Sequence, residues 1–256
     1  MGMAFVLPSD IGFNLWESVL GDSADIPDPD DIVREFRVAG ALAFLTRLCP
    51  DATAELSHLF HHDLGNARVV SATEIAFKAE SMLIFDRNAG RLRADPTVVA
   101  RIFEEGSWVV DDRVRQFWAG LLIASCSMAQ VDQANLEIVA LLSQLTPSQV
   151  RILTDACARA TVRKADDGAL TAERRLCPVE DVIQIAGARD PGKLDRDLSH
   201  LYGYGLLERE VNSLALLPSD VANLTPTVTG LEMFARCSGY RGSLHDFYQV
   251  TAASQS

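Results

Sequence analysis

The chain has 256 residues, of which 48% are hydrophobic and only 7% aromatic, and its formal net charge is -12. This length favours two domains, and a core of Leu, Val, Ile and Ala suits helices better than a β-sandwich. Residues 1–140 carry 11 Lys and Arg against 21 Asp and Glu, whereas residues 141–256 carry 12 against 14. Such acidity disfavours nucleic acid as a partner, because duplex binders displace counterions with a basic surface.

Thiol usage and hydropathy indicate a cytoplasmic protein. Five cysteines include no close pair, and several stand in apolar periodic segments, which predicts buried, reduced thiols. The start of the chain lacks basic residues and a long apolar run, so no export signal is expected. The longest uncharged run, residues 116–131, is shorter than the roughly 20 apolar residues that a membrane span needs. We therefore expect no membrane partner.

The first part of the chain has the periodicity of successive helices. Residues 22–31 contain two prolines and five aspartates, which we interpret as a solvated capping turn and not as a cation site. Helices are predicted from Ile32 to before Pro50, over 52–63, over 69–85 and after Asp95, which is a typical N-cap with Pro96 at the first helical position.

The stretch after Asp111 is predicted to hold the central helix. Its apolar positions 114, 117, 118, 121 and 122 repeat at helical spacing, and Ala119-Gly120 leaves room for a neighbouring helix. Residues 136–142 continue the helical character. Thr146-Pro147-Ser148-Gln149 is then typical of a capping box, with a hydroxyl at the N-cap and Gln at the third helical position.

The C-terminal part has the element order of a winged helix. Helices are predicted over 150–157, over 179–186 and, after a tight turn at 190–192, over 194–203. Residues 206–211 and 214–217 flank Asn212-Ser213 as a small β-hairpin would, and a last helix is predicted to begin at Thr225-Pro226. The predicted fold is mainly α, with an acidic all-helical domain at 1–140, a winged-helix-like module at 141–240 and a tail at 241–256.

Several motifs occur in an order that matches a known family. They are Asp111-Asp112; Trp118 with Ala119, Leu121 and Leu122; Leu145-Thr146-Pro147; Leu198, Leu201, Gly205, Leu206 and Leu207; and Thr227 with Gly230 and Phe234. In this the chain resembles the abortive-infection alpha (Abi-alpha-like) family of bacterial proteins, which is linked to phage exclusion. The resemblance covers about half of the chain and leaves out the first 65 residues. It implies a cytoplasmic bacterial protein that acts in phage defence, and it transfers no catalytic residue.

Two motifs have a chemical and a structural interpretation. His58 and His62 have the i,i+4 spacing of metal ligands, but no third ligand is placed, so an exposed helix end is favoured. Gly203-Tyr204-Gly205 resembles the start of a dinucleotide loop, yet it follows a helix and lacks the third glycine, which favours a helix cap. We expect no metal, no cofactor and no catalytic residue.

Lys193, Arg196 and His200 fall on one face of the third C-terminal helix, where a winged-helix protein would contact DNA. Asp195 and Asp197 alternate with them and are expected to repel phosphates. Arg209, Arg236 and Arg241 would enlarge the basic surface only if the fold brings them to it. We therefore interpret this face as a contact for a protein partner or a solvated face, ahead of DNA binding.

Together these features predict a non-enzymatic protein that works by binding a partner protein or itself. The alternative is a winged-helix transcriptional regulator.

Overall fold

The structure is a computed structural model, and it describes residues 29–60, 66–128, 133, 135–165, 168–188, 190–209 and 221–248. The first half consists of helices α1 (Pro29–Leu48), α2 (Thr53–Phe60), α3 (Ala67–Met82), α4 (Pro96–Gly106), α5 (Asp112–Ala124) and α6 (Leu136–Ser143). The 3-10 turns Pro50–Ala52 and Ala89–Arg91 and the strands β1 (Arg93–Ala94) and β2 (Cys126–Ser127) connect them. The described part of this half is mainly helical, as predicted, but the β1–β2 pair departs from the all-helical prediction.

The second half mixes helices with short strands. It contains α7 (Pro147–Ala158), β3 (Val162–Lys164), β4 (Leu170–Ala172), β5 (Leu176–Pro178), α8 (Val179–Ala186), α9 (Pro191–Gly203), β6 (Val221–Asn223), α10 (Val228–Cys237) and α11 (Leu244–Phe247). The helices predicted over 150–157, 179–186 and 194–203 are all present. None of the helices in the described ranges is both long and apolar enough to cross a membrane.

Side-chain caps fix the helix starts that the sequence indicated. Asp95 Oδ1 accepts hydrogen bonds from the amides of Thr97 and Val98 at 2.7 and 3.2 Å. The capping box of α7 is complete, since Thr146 Oγ1 accepts from the Gln149 amide and Gln149 Oε1 accepts from the Thr146 amide. These contacts satisfy backbone donors that the first turn of a helix leaves without partners. Both predicted caps are confirmed.

The strands form three separate antiparallel pairs. β1 pairs with β2, β3 with β4 and β5 with β6, the last in the register Leu176↔Asn223 and Pro178↔Val221. Strands β3 to β5 lie between the helices predicted over 150–157 and 179–186, where no strand was predicted. The predicted hairpin at 206–211 and 214–217 lies largely outside the described residues, and its described part makes a single bridge, Leu207↔Pro226.

The last helices also differ from prediction. α10 begins at Val228 with Thr227 as its N-cap, two residues later than predicted, because Thr225 is buried and its hydroxyl bonds the side chain of Asn223. Beyond it, α11 returns to the core and places the Phe247 ring 6.1 Å from the Phe234 ring. This part of the segment proposed as a tail therefore packs on α10.

Helix α5 is the centre of the core. Trp118, Leu121 and Leu122 are at most 1% exposed, and the helix packs against α3, α4, α7 and α10. Because its neighbours come from both halves of the chain, the buried cluster is continuous across residue 140. The division into domains at that residue stays a prediction.

The close approach predicted at Gly120 is made by the end of α10. A Cβ atom at Gly120 would lie 1.8 Å from the carbonyl oxygen of Cys237, a distance that no packing tolerates. Glycine is therefore required here by contact between two backbones.

We expect Gly120→Ala to lower the free energy of unfolding by about 3 kcal/mol or more, because the added methyl group must push α10 away from α5. The matched control is Gly203→Ala at the exposed end of α9, where nothing lies within 4 Å of the new Cβ atom. Its effect should stay within about 1 kcal/mol. Urea denaturation followed by circular dichroism measures both, and equal effects of the two substitutions would contradict the packing described.

Candidate functional site

Helix α9 carries the candidate residues and owes its orientation to a buried leucine stripe. Leu194, Leu198 and Leu201 are at most 1% exposed and face the core. Its start differs from the predicted tight turn: the side chain of Asp190 accepts a hydrogen bond from the Gly192 amide at 3.1 Å and caps the helix. Proline is favourable at the first helical position, because the backbone nitrogen there has no hydrogen-bond partner within the helix. The residues 190–192 that were predicted as a separate turn therefore form the start of α9.

The opposite face of α9 presents the predicted residues to solvent. Lys193, Arg196 and His200 are all exposed, and their spacing places them on one side of the helix. Two of the arginines proposed to enlarge this surface make other contacts: Arg241 pairs with Asp86, and Arg236 donates to the Tyr240 carbonyl at 3.2 Å. The third, Arg209, is exposed beyond the end of α9. We call Lys193, Arg196 and His200, with the half-buried Asp195 beside them, the α9 face.

Asp197 does not belong to that face, contrary to its predicted role. Its side chain points toward the start of α7, and the residue is only 5% exposed. The carboxylate accepts hydrogen bonds from Ser148 Oγ and, at 3.1 Å, from Gln149 Nε2. A carboxylate at a helix N-terminus is stabilised by the amides and the dipole of the helix. Asp197 therefore joins α9 to α7 and does not act as a surface charge.

Gln149 connects this buried network to the surface. Its carbonyl oxygen completes the capping box, while its amide nitrogen lies 3.1 Å from Asp197 Oδ1 and 3.2 Å from His200 Nδ1. The amide has two hydrogens, one for each partner, so His200 Nδ1 is the acceptor in this arrangement. This contact holds the His200 ring against the buried network.

A second exposed surface lies at the turn between α4 and α5, and sequence reasoning missed it. Trp108 and Val110 are 68% and 77% exposed. Between them, the Val109 carbonyl accepts hydrogen bonds from Ser71 Oγ and, at 2.9 Å, from Arg115 Nε. We call residues 107–111 the Trp108 loop. Its backbone is held in place while its two large apolar side chains face solvent.

Arg68 adds to this surface. Its guanidinium carbon lies 4.3 Å from the centre of the Trp108 ring, and its Nε donates to Ser107 Oγ at 3.1 Å. This cation–π contact orients the indole ring against α3. The sequence holds a faint signal, since Trp108 stands between two helices where a core tryptophan is not expected.

A cleft of about 540 Å³ opens between α5, α7 and α8. Arg151 lies in its wall and is fully engaged: it contacts Asp111 at 2.8 Å and the Ala186 carbonyl at 3.0 Å. Asp155, one turn further along α7, pairs with Arg175 at 2.5 Å. The first pair joins α7 to the start of α5, and the second joins α7 to the residue before β5, so both are structural contacts.

The structure also shows where the histidines and the glycine motif that the sequence singled out are located. His58 is exposed in the last turn of α2, and His62 lies outside the described residues. Within the described ranges, no three His, Cys, Asp or Glu side chains are grouped closely enough to hold a metal ion. Gly205 has a φ of 67° and follows the end of α9, which confirms the helix-cap interpretation of Gly203-Tyr204-Gly205.

All five cysteines are buried and unpaired with one another, as predicted. Burial raises the pKa of each thiol, that of Cys126 to about 12. The thiolate is the nucleophilic form, so these side chains are unreactive at neutral pH in the folded chain.

By its architecture the chain is a mainly helical protein with small antiparallel strand pairs. Residues 72–231 match the family described as Abortive infection alpha. The match spans more than half of the 256 residues, and the chain belongs to this family. The family resemblance inferred from the motif order is thereby confirmed. Comparisons with curated proteins and with solved structures found no match.

We expect Asp197→Ala to lower the free energy of unfolding by about 1–3 kcal/mol, because Ser148 and Gln149 lose their buried acceptor. Asp195→Ala is the matched control on the same helix: that side chain is half exposed, and its loss should cost less than about 0.5 kcal/mol. Chemical denaturation of both variants tests this. A silent Asp197→Ala variant would show that the α7–α9 network contributes no stability.

Proposed function

We propose that this chain acts in bacterial defence against phage as a non-enzymatic protein of the cytoplasm that binds a protein partner or a second copy of itself. Membership of the abortive infection alpha family supports the biological role. The buried, protonated thiols support a role without a cysteine nucleophile. A robust hydrolase or transferase activity of the pure protein would contradict the proposal.

The Trp108 loop is the observation that carries the binding role. Tryptophan and arginine are enriched at the energetic centres of protein interfaces, and here Arg68 stacks on an exposed Trp108. The loop backbone is already fixed through Val109, so binding costs little additional ordering. A fixed backbone with an exposed aromatic side chain is suited to contact with another protein.

DNA binding through α9 is the second candidate, and one observation favours it. The inward orientation of Asp197 removes one of the two carboxylates expected to repel phosphates, and it leaves Lys193, Arg196 and His200 exposed together. The order of α7, α8 and α9, with β6 after them and paired to β5, is compatible with a winged helix. The net charge of -12 still opposes DNA binding over the chain as a whole.

The first functional prediction concerns phage plating. Cells that express the chain should give several-fold fewer phage plaques than cells without it, and Trp108→Ala should abolish the difference. Phe85→Ala is the matched control, because Phe85 is an exposed aromatic on another turn and its loss should leave protection intact.

Light scattering of the pure protein distinguishes self-association from binding to a different protein. Self-association gives a mass that is a multiple of the 27.9 kDa chain mass, and Trp108→Ala should reduce that mass. Full protection by the Trp108→Ala variant would exclude this loop as the contact.

The second prediction tests the DNA alternative by fluorescence anisotropy with mixed duplex DNA. Binding through α9 should weaken steeply with rising salt and be lost in the double variant Lys193→Glu with Arg196→Glu. The double variant Arg87→Glu with Arg91→Glu removes the same charge at exposed positions elsewhere and should retain binding. Unaltered binding by the α9 variant would exclude that helix as the reader.

A further inference from the structure

A small apolar pocket lies beside the Trp108 loop, between α2, α4 and the start of α3. Its volume is about 240 Å³, and it is lined by Leu56, Leu59, Arg68, Ala100, Phe103 and Glu104. Leu56 and Phe103 are at most 2% exposed. Sites that take whole small molecules measure roughly 300–1,000 Å³, so this pocket has the size for an apolar side chain of a larger partner. We call it the α2–α4 pocket.

Arg68 joins this pocket to the exposed tryptophan. Its side chain lines the pocket, and its guanidinium carbon lies 4.3 Å from the centre of the Trp108 ring. Ser107 Oγ accepts from Arg68 Nε at 3.1 Å and donates to the carbonyl of Glu104, another residue of the pocket, at 3.4 Å. The pocket, the guanidinium and the indole ring therefore form one continuous surface.

The charge of Arg68 is unmatched within the part of the chain that the structure describes. The residue is half-buried, it forms no ion pair there, and its side-chain hydrogen bond uses Nε, which leaves Nη1 and Nη2 for another acceptor. Glu104 does not neutralise it, because that carboxylate pairs with Arg101 at 2.6 Å. Removing a charge from water is costly unless the charge is paired. An acceptor brought by a partner would supply the missing pair.

A second arginine beside the same loop has the same property. Arg115 is half-buried, and its Nε donates to the Val109 carbonyl at 2.9 Å and to Ser71 Oγ at 3.0 Å. The chain carries 35 Asp and Glu against 23 Lys and Arg, yet none of the described carboxylates pairs with Arg115 or Arg68. The Trp108 loop is therefore a site of local positive charge on an acidic protein, and its electrostatic complement is an acidic group.

The chemistry of the pocket favours an acidic peptide over a nucleic acid. A carboxylate matches the paired N–H donors of a guanidinium, and an apolar side chain matches a pocket lined by Leu56, Leu59 and Phe103. A peptide supplies both groups within a short distance, because successive residues of an extended chain are about 3.3–3.6 Å apart. A nucleic acid would place polar base edges against apolar side chains and its phosphates near a chain of net charge -12.

We propose that the α2–α4 pocket and Arg68 bind a short acidic segment of a protein partner. An apolar side chain of the segment enters the pocket, and an Asp or Glu within two residues of it accepts hydrogen bonds from Nη1 and Nη2 of Arg68. Trp108 packs against the same segment. This inference rests on the role proposed above for the Trp108 loop, and it adds the chemistry of the partner.

Selection of binders from a library of random short peptides on the pure full chain tests the proposal. Enriched peptides should place Asp or Glu within two residues of Leu, Ile, Met or Phe. In fluorescence anisotropy, changing that acid to its amide should weaken binding to the unaltered chain about tenfold or more, because a bidentate ion pair is lost. The same change should have little effect on binding to the Arg68→Gln variant, since the two groups no longer interact.

Two further variants separate the charge from the pocket. Arg91→Gln is the matched control, because it removes the same charge at an exposed position elsewhere, and the acid of the peptide should keep its full effect. Ala100→Gln places a longer polar side chain at the pocket and should weaken binding although Arg68 is unaltered. Circular dichroism spectra equal to that of the unaltered chain show that each variant is folded.

The proposal is overturned if no peptide is enriched, if the enriched peptides lack an acidic residue, or if the amide change weakens binding to Arg68→Gln as much as to the unaltered chain. Binding of oligothymidylate that Arg68→Gln abolishes would also overturn it and assign the site to nucleic acid.

Plaque counts keep this inference apart from the proposed function. If Trp108→Ala loses protection and Arg68→Gln keeps it, the loop is a contact in defence, and the acidic segment is not its partner. If Trp108→Ala keeps protection while the peptides bind as expected, the pocket binds acidic segments, and the role of the loop in defence is wrong.

Discussion

The backbone contact between α5 and the end of α10 is the constraint on which the rest of the fold depends. Gly120 brings the middle of the central helix against the Cys237 carbonyl, and this contact fixes how the C-terminal helices sit on the N-terminal ones. Trp118, Leu121 and Leu122 then fill the space on either side of it. Because protein cores are close-packed, a methyl group added at this point would overlap the neighbouring backbone unless the two helices moved apart. A single glycine therefore links the two halves of the core.

The buried polar network between α7 and α9 is a second constraint on the fold, and it decides which side chains of α9 are exposed. Asp197 and Gln149 satisfy each other inside the protein, so the exposed chemistry of α9 is left to Lys193, Arg196 and His200. Buried polar groups that are fully paired specify one arrangement of neighbouring helices, because any other arrangement leaves them without partners. The network thus sets the orientation of α9, while Lys193, Arg196 and His200 remain exposed.

The Trp108 loop differs from the α9 face because it exposes large apolar side chains and not charges. Its backbone is fixed by hydrogen bonds to the Val109 carbonyl, and Arg68 stacks on the Trp108 ring. A surface that is already ordered suits a partner that arrives from outside, because binding then costs little further ordering.

The sequence by itself determined the family, most helix positions and the caps at Asp95 and Thr146, because apolar periodicity and capping are local and act within a few residues. It also indicated the close approach at Gly120. Only the tertiary structure decided that Asp197 turns inward, that β5 pairs with β6 and that Trp108 stays outside the core. These features depend on residues far apart in the chain, and local patterns carry no information about which distant group will donate to a carboxylate, pair with a strand or leave a ring exposed.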